Sequence, residues 1–169
     1  MTVSLFTFVD LYRRQLDSLS HLLTKGTDHA AANGIAERDM LGWRLTEDMF
    51  PLGFQAMVVI NFAQQWTARA AGVDVPEGIG ADLDMAGFQA AIVEAKAFLA
   101  TLTPEQFAGR DDVPLTVRIT DALEPTMPAA QWLTLFGTTN LYFHLSMVYA
   151  LLRTNGVPVG KPDLFGGGL

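Results

Sequence analysis

The chain contains no cysteine, which removes disulfides, thiolate nucleophiles, zinc–thiolate sites and iron–sulfur clusters together. Charge is scarce: 17% of residues are Asp, Glu, Lys or Arg, and 18 acids against 11 bases leave a formal charge of -7. That balance is unsuited to holding phosphate backbones, so no nucleic-acid partner is expected. Long apolar runs are missing too. The richest, residues 141–152, is broken by His144 and Ser146 and is far below the roughly 20 residues of a membrane span. Asp10, Arg13 and Arg14 interrupt the apolar residues near the start, so no export signal is read. A cytoplasmic location without a membrane partner is the expectation. Phosphate loops and nucleophile elbows are absent as well: Gly166-Gly167-Gly168 has no following helix, and no serine sits in an elbow context.

What remains is 169 residues, half of them hydrophobic, enough for one globular domain spanning 1–169. The acidity is local. Residues 74–124 hold ten acids against Lys96, Arg110 and Arg118, which accounts for the whole -7. A solvated face explains this; docking of a basic partner is the alternative.

Four segments have helical periodicity. Leu5, Phe8, Val9, Tyr12, Leu16, Leu19 and Leu23 recur at three- and four-residue spacing, giving a first helix that Gly26 is expected to stop. The second runs from about residue 48 or 50 to Ala71, with Pro51 in its first turn and Gly72 past its end. The third covers about 84–101, closed by Pro104. The fourth starts near Pro128 and reaches about Thr154, with Gly137-Thr138-Thr139 as a kink point. Its apolar stripe reads Trp132, Phe136, Asn140, Phe143/His144, Met147/Val148, Leu151. A short helix is expected around 37–45, a short strand or hairpin at 113–120 with Pro114 marking an edge, and an irregular tail from Gly156.

The fold predicted is an all-α four-helix bundle. The 72–84 connection can reach roughly 40 Å when extended, enough to run the length of a 20-residue helix of about 30 Å. Helices two and three can therefore be parallel, joined by a crossover.

Candidate chemistry is concentrated on few residues. His21 and His29 lie on polar surroundings and are read as solvated. His144 lies on the fourth helix's stripe one turn after Asn140, but Met147 and Val148 stand where a second helical metal ligand would. The inward polar residues are Gln55, Asn140 and His144, with Tyr12, Tyr142 or Tyr149 beside them. Buried amides and imidazoles require partners, so one reading is a network that fixes helix register. The other is a small-ligand pocket made by Gln55, Asn140, His144, Tyr149 and Trp66, with Trp43, Phe62 and Phe143 as walls.

Two stretches carry a resemblance. The first is Asp48-Met49-Phe50-Pro51-Leu52 followed by Gln55. The second is Asn140-Leu141-Tyr142-Phe143-His144, continuing through Tyr149-Ala150-Leu151-Leu152-Arg153 to Asn155-Gly156-Val157-Pro158 and Gly160-Lys161-Pro162-Asp163. With the helix pattern, the whole chain resembles an uncharacterised bacterial family within the DinB/YfiT-like superfamily. The resemblance implies an up-down-down-up four-helix bundle and a homodimer. It also implies a divalent metal on three histidines, one on helix two and an HxxxH pair on helix four, and in some members thiol S-transferase activity. Here His144 matches one ligand, Gln55 stands at the helix-two position and Val148 at the second helix-four position. No bound metal or cofactor is therefore expected. The function expected is a metal-free homodimeric binding or interaction protein for a small ligand or partner. The alternative is a transferase or hydrolase, metal-dependent or with a degenerate site centred on His144. Helix one or the Trp66 end of helix two is the expected dimer surface.

Overall fold

The four periodic segments fold as four long helices, seen in a computed structural model that describes residues 3–166. Along the chain run α1 (Thr7–Ala32), the short α2 (Glu37–Leu41), α3 (Leu52–Ala71), α4 (Met85–Thr101) and the single turn α5 (Pro104–Phe107). A hairpin of β1 (Pro114–Thr116) and β2 (Thr126–Pro128) follows, paired antiparallel with Leu115 opposite Met127. The last long helix comprises α6 (Ala129–Gln131), a π-helical stretch over Trp132–Gly137, and α7 (Thr138–Thr154). No helix among the described residues is long and apolar enough to cross a membrane.

Side-chain contacts fix the helix directions. Asn61 exchanges hydrogen bonds with the Ile79 backbone at 3.1 and 2.9 Å, and Gln65 donates to the Pro76 carbonyl. The connection after α3 thus runs back along α3 until Ala81 lies against Gly53, and α4 starts beside the start of α3. The two are parallel. Tyr12 meets Thr138 at one end while Gly26 meets Leu152 at the other, so α1 and α7 are also parallel. Gln55 meets His144 and Trp66 meets Trp132, so α3 opposes α7. Ser20 bonds Gln89 and Asp17 pairs with Lys96, so α1 opposes α4. This is the up-down-down-up course.

Leu16, Leu19, Leu22, Val59, Ile60, Phe88, Leu99, Leu145 and Val148 form the centre of a continuous buried cluster. Three expectations need correction. Gly26 does not end α1, because it lies inside the bundle: a Cβ there would sit 2.7 Å from Leu152, so glycine serves a close helix approach. The chain turns at Gly34 instead, in the left-handed region with φ +66°. Pro104 opens a new turn at N1 of α5 after α4 has ended. The tail also gains a 3₁₀ turn, Lys161–Phe165, tied to α1. There Asp163 accepts from the Gly160 backbone at 2.7 Å, from His21 at 2.7 Å and from Lys25 at 3.0 Å. These bonds hold its carboxyl well below the usual carboxylate range, and His21, its side chain 41% exposed as a solvated residue's is, also clamps the tail.

The fourth correction concerns phase. The expected stripe put Phe143 inside, yet Phe143 is 53% exposed and the buried residues of α7 are Leu141, Leu145, Val148, Leu151 and Leu152. A π-helical segment closes its bonds one residue later than an α-helix does. Everything after Gly137 is therefore rotated relative to a uniform 3.6-residue period. His144 moves from the middle of the stripe to its edge and is half-buried.

Candidate functional site

The site begins with the entry to α3. Pro51 at the N-cap cannot donate, and the Phe50 carbonyl just before it receives the side chain of Gln55, Nε2 to O at 2.9 Å. That bond sets the amide orientation, so the Gln55 oxygen faces α7 and lies 2.6 Å from Nδ1 of His144. An amide oxygen only accepts, so Nδ1 carries the proton and the neutral ring keeps its lone pair on Nε2. Burial lowers the His144 pKa from the ordinary imidazole value, which favours that neutral form. Among the described residues Nε2 has no hydrogen-bond partner, and it is not sealed from solvent. The sequence therefore yields a fixed, unprotonated acceptor at the surface.

Aromatic rings surround it. Phe143, Phe54 and Phe62 lie 5.1, 6.3 and 6.5 Å from the imidazole centroid, and Phe50 stacks on Phe54 at 3.9 Å. From Phe62 the rings continue along the α3–α7 seam through Phe136 to Trp66, which stacks on Trp132 at 5.1 Å. Gly137 is needed in this seam, because a Cβ there would lie 3.0 Å from Trp66. Tyr12 is fully buried and hydrogen-bonds Thr138 at 2.9 Å, just past the π-helical stretch; burial pushes its phenol pKa far up.

The five sequence candidates do not converge on one pocket. Gln55 and His144 meet directly. Asn140 turns its amide back to the Phe136 carbonyl of its own helix at 2.8 Å. Tyr149, half-buried against the core, is five residues beyond His144 and so on another face of the helix. Trp66 is buried about 16 Å along α3 from Gln55. Trp43 is half-buried in the α2–α3 connection, where its carbonyl takes the Leu52 N–H. Phe50 and Phe54 belong to the rim although sequence reasoning passed over them; their i, i+4 spacing beside Gln55 was the available signal.

The donor set does not fit a three-histidine metal centre. His144 is a single imidazole whose Nδ1 is committed, Gln55 offers a neutral amide already bonded at both atoms, and Val148 is hydrocarbon buried in the core. Among the described residues, no three of His, Cys, Asp or Glu cluster in a way that could hold an ion.

Residues 6–165 match the family described as a domain of unknown function, DUF1993. The chain belongs to this family. A crystal structure of a DinB family member protein from Shewanella denitrificans is similar in fold to this DUF1993 chain. Its TM-score is 0.86, with 23% identity over 95% of this chain and 91% of that one. At that identity the likeness establishes a DinB-like fold. No curated protein matches the chain.

Proposed function

We propose that the chain is a metal-free interaction protein whose working surface is the outer side of α7 around His144, and that this surface pairs two copies. The observation that carries this reading is an uncharged, partly aromatic face left open to water. Between Glu124 and Arg153 there is no Asp, Glu, Lys or Arg, yet Leu135, Tyr142 and Phe143 are 66%, 41% and 53% exposed, with Phe50 at 59% beside them. An open apolar face of this kind marks an association site. The surfaces offered by periodicity suit the role less well. Trp66 is only 5% exposed, and the outer side of α1 carries Asp10, Arg13 and Arg14. A twofold pairing through α7 should bury more than about 1,000 Å².

Light scattering in dilute buffer should give twice the 18.4 kDa chain mass, and Phe143→Glu should reduce it to one chain without changing the helix content. A single-chain mass for the wild type across micromolar concentrations overturns the pairing.

A second reading is supported by Nε2 of His144, a lone pair held inside the aromatic rim. It suits a small neutral ligand with an O–H, N–H or S–H donor on an apolar body, and the same lone pair is what a degenerate-site transferase or hydrolase would use as general base. Saturable binding of phenol, followed by the His144 ring signals and lost in His144→Leu, would support this reading over pairing.

A further inference from the structure

A second site lies at the opposite end of α3, where the chemistry is reversed. Arg69, in the last turn of α3, places its guanidinium 4.9 Å above the Trp66 ring and, among the described residues, donates only to the Gln65 carbonyl, at 3.1 Å. Arg110, from the loop after α5, reaches the same helix end and donates Nε to the Ala70 carbonyl at 2.6 Å. It can do so because residue 72 is glycine: a Cβ there would lie 2.4 Å from the Arg110 guanidinium, and φ is +73°. The two side chains share a cleft of about 390 Å³ whose other walls are Gly72, Val73, the β1 residues Pro114, Leu115 and Thr116, and Val117 just after that strand.

Among the described residues neither arginine has an acidic partner. The ion pairs among the described residues are Arg14–Asp10, His21–Asp163, Lys25–Asp163, Arg38–Asp39, Lys96–Asp17 and Arg118–Glu124. Asp74 and Asp111, the acids nearest in sequence, are in none of these pairs. In a chain with seven more acids than bases, two partly buried guanidinium groups side by side without a carboxylate are exceptional. A guanidinium has five N–H donors, and most of those on Arg69 and Arg110 have no acceptor among the described residues. Burial lowers the Arg69 pKa with no acid to offset it, a desolvation cost that a bound anion would relieve.

We propose that Arg69 and Arg110 form a binding site for a small oxyanion, a carboxylate or phosphate group carried on a short apolar body. The free N–H forks suit two-oxygen recognition, and Val73, Leu115 and Val117 supply apolar walls for the rest of the ligand. The site is independent of the α7 face.

The test is a nuclear magnetic resonance titration of the full chain at fixed ionic strength, with benzoate in one arm and phenyl phosphate in the other. The expected result is a saturable shift of the Arg69 and Arg110 Nε–H signals and the 115–117 amides with at least one anion. Whichever arm saturates names the oxyanion. Arg69→Gln, which spares the Arg110 contact to the α3 carbonyls, should weaken binding by about tenfold or more, while Arg38→Gln, at a cation 94% exposed on α2, leaves it unchanged. Absence of saturation with both anions, or equal affinity in a folded Arg69→Gln, overturns the site. Should Arg69→Gln fail to fold, the location of the wild-type shifts decides alone, and shifts confined to other residues overturn it.

Discussion

At its N-terminal end α3 meets α7 through a neutral pair, Gln55 and His144, that leaves an acceptor facing water. Roughly 20 Å further along the same helix, Arg69 and Arg110 leave donors facing a cleft. Aromatic rings line both ends, but in opposite states. Phe50 and Phe143 are more than half exposed, whereas Trp66 and Trp132 are 5% and 1% exposed. The difference lies in what covers each end. The hairpin closes over the tryptophans, with the Trp132 indole donating to the Leu115 carbonyl at 2.8 Å, and among the described residues no such layer covers the phenylalanines. Ring type alone therefore does not set a role. The same apolar area stabilises the fold where the chain buries it and remains available for binding where it does not.

The largest test of this contrast is Trp132→Ala, which removes a buried ring stacked on Trp66 and should cost about 3–5 kcal/mol in a urea unfolding midpoint. A loss below about 1 kcal/mol would mean that the covered end is no more structural than the open one. Next comes a double-mutant cycle on the polar pair. His144→Leu strands the Gln55 oxygen in a buried position and should cost about 1–3 kcal/mol, while adding Gln55→Leu should recover part of that loss. Additive losses would show that the two side chains do not act as a pair.

Acidity gives a smaller, directional effect. The His144 pKa is lower in the folded chain than in the unfolded one, so the unfolded state takes up a proton first. Stability is full above the unfolded value near about 6.5 and falls as pH drops through that value toward the folded one. His144→Leu should flatten this part of the profile, whereas Arg69→Gln should not. Asp163 loses its clamp only below about pH 4, so the two steps separate. The smallest effect is expected for Phe50→Ala, under about 1 kcal/mol because the ring is stacked on Phe54 but largely in water. A larger loss in thermal unfolding would mean that the open end is held together as the covered one is.

Much of the architecture is legible in the sequence. Pro51 and Gly72 bracket α3 because one lacks an N–H at a helix start and the other adopts the left-handed region at its end. Asp84 caps α4 by accepting from the Gly87 backbone at 2.7 Å. The long 72–84 connection permitted the parallel α3–α4 pair, and Asn61 and Gln65 hold that connection on α3 through side-chain amides. At the site, Gln55 and His144 were identifiable as inward polar residues on facing helices. Asn140 and Tyr149 stay apart from that pair because the Asn140 amide bonds back to its own helix and Tyr149, five residues past His144, stands on another face of α7, neither of which an inward polar position reveals.

What the sequence determined by itself is whatever depends on neighbours a few residues apart: which segments are helical, their caps, the hairpin, the lack of thiolate chemistry, and the missing second histidine at Val148. Its family signature follows from the same local motifs. Tertiary structure decided everything that requires two distant segments to touch. Gly26 is a packing surface for Leu152 instead of a stop, and Gly137 is kept small by Trp66, on another helix. Arg110 reaches the end of α3 from a loop 40 residues later in the chain. The π-helical stretch at Trp132–Gly137 rotates α7 and brings His144 to the edge of the core. Local pattern fixes which residues can share a helix face, but the phase and the company of that face are set by the packing that buries the most side chains at once.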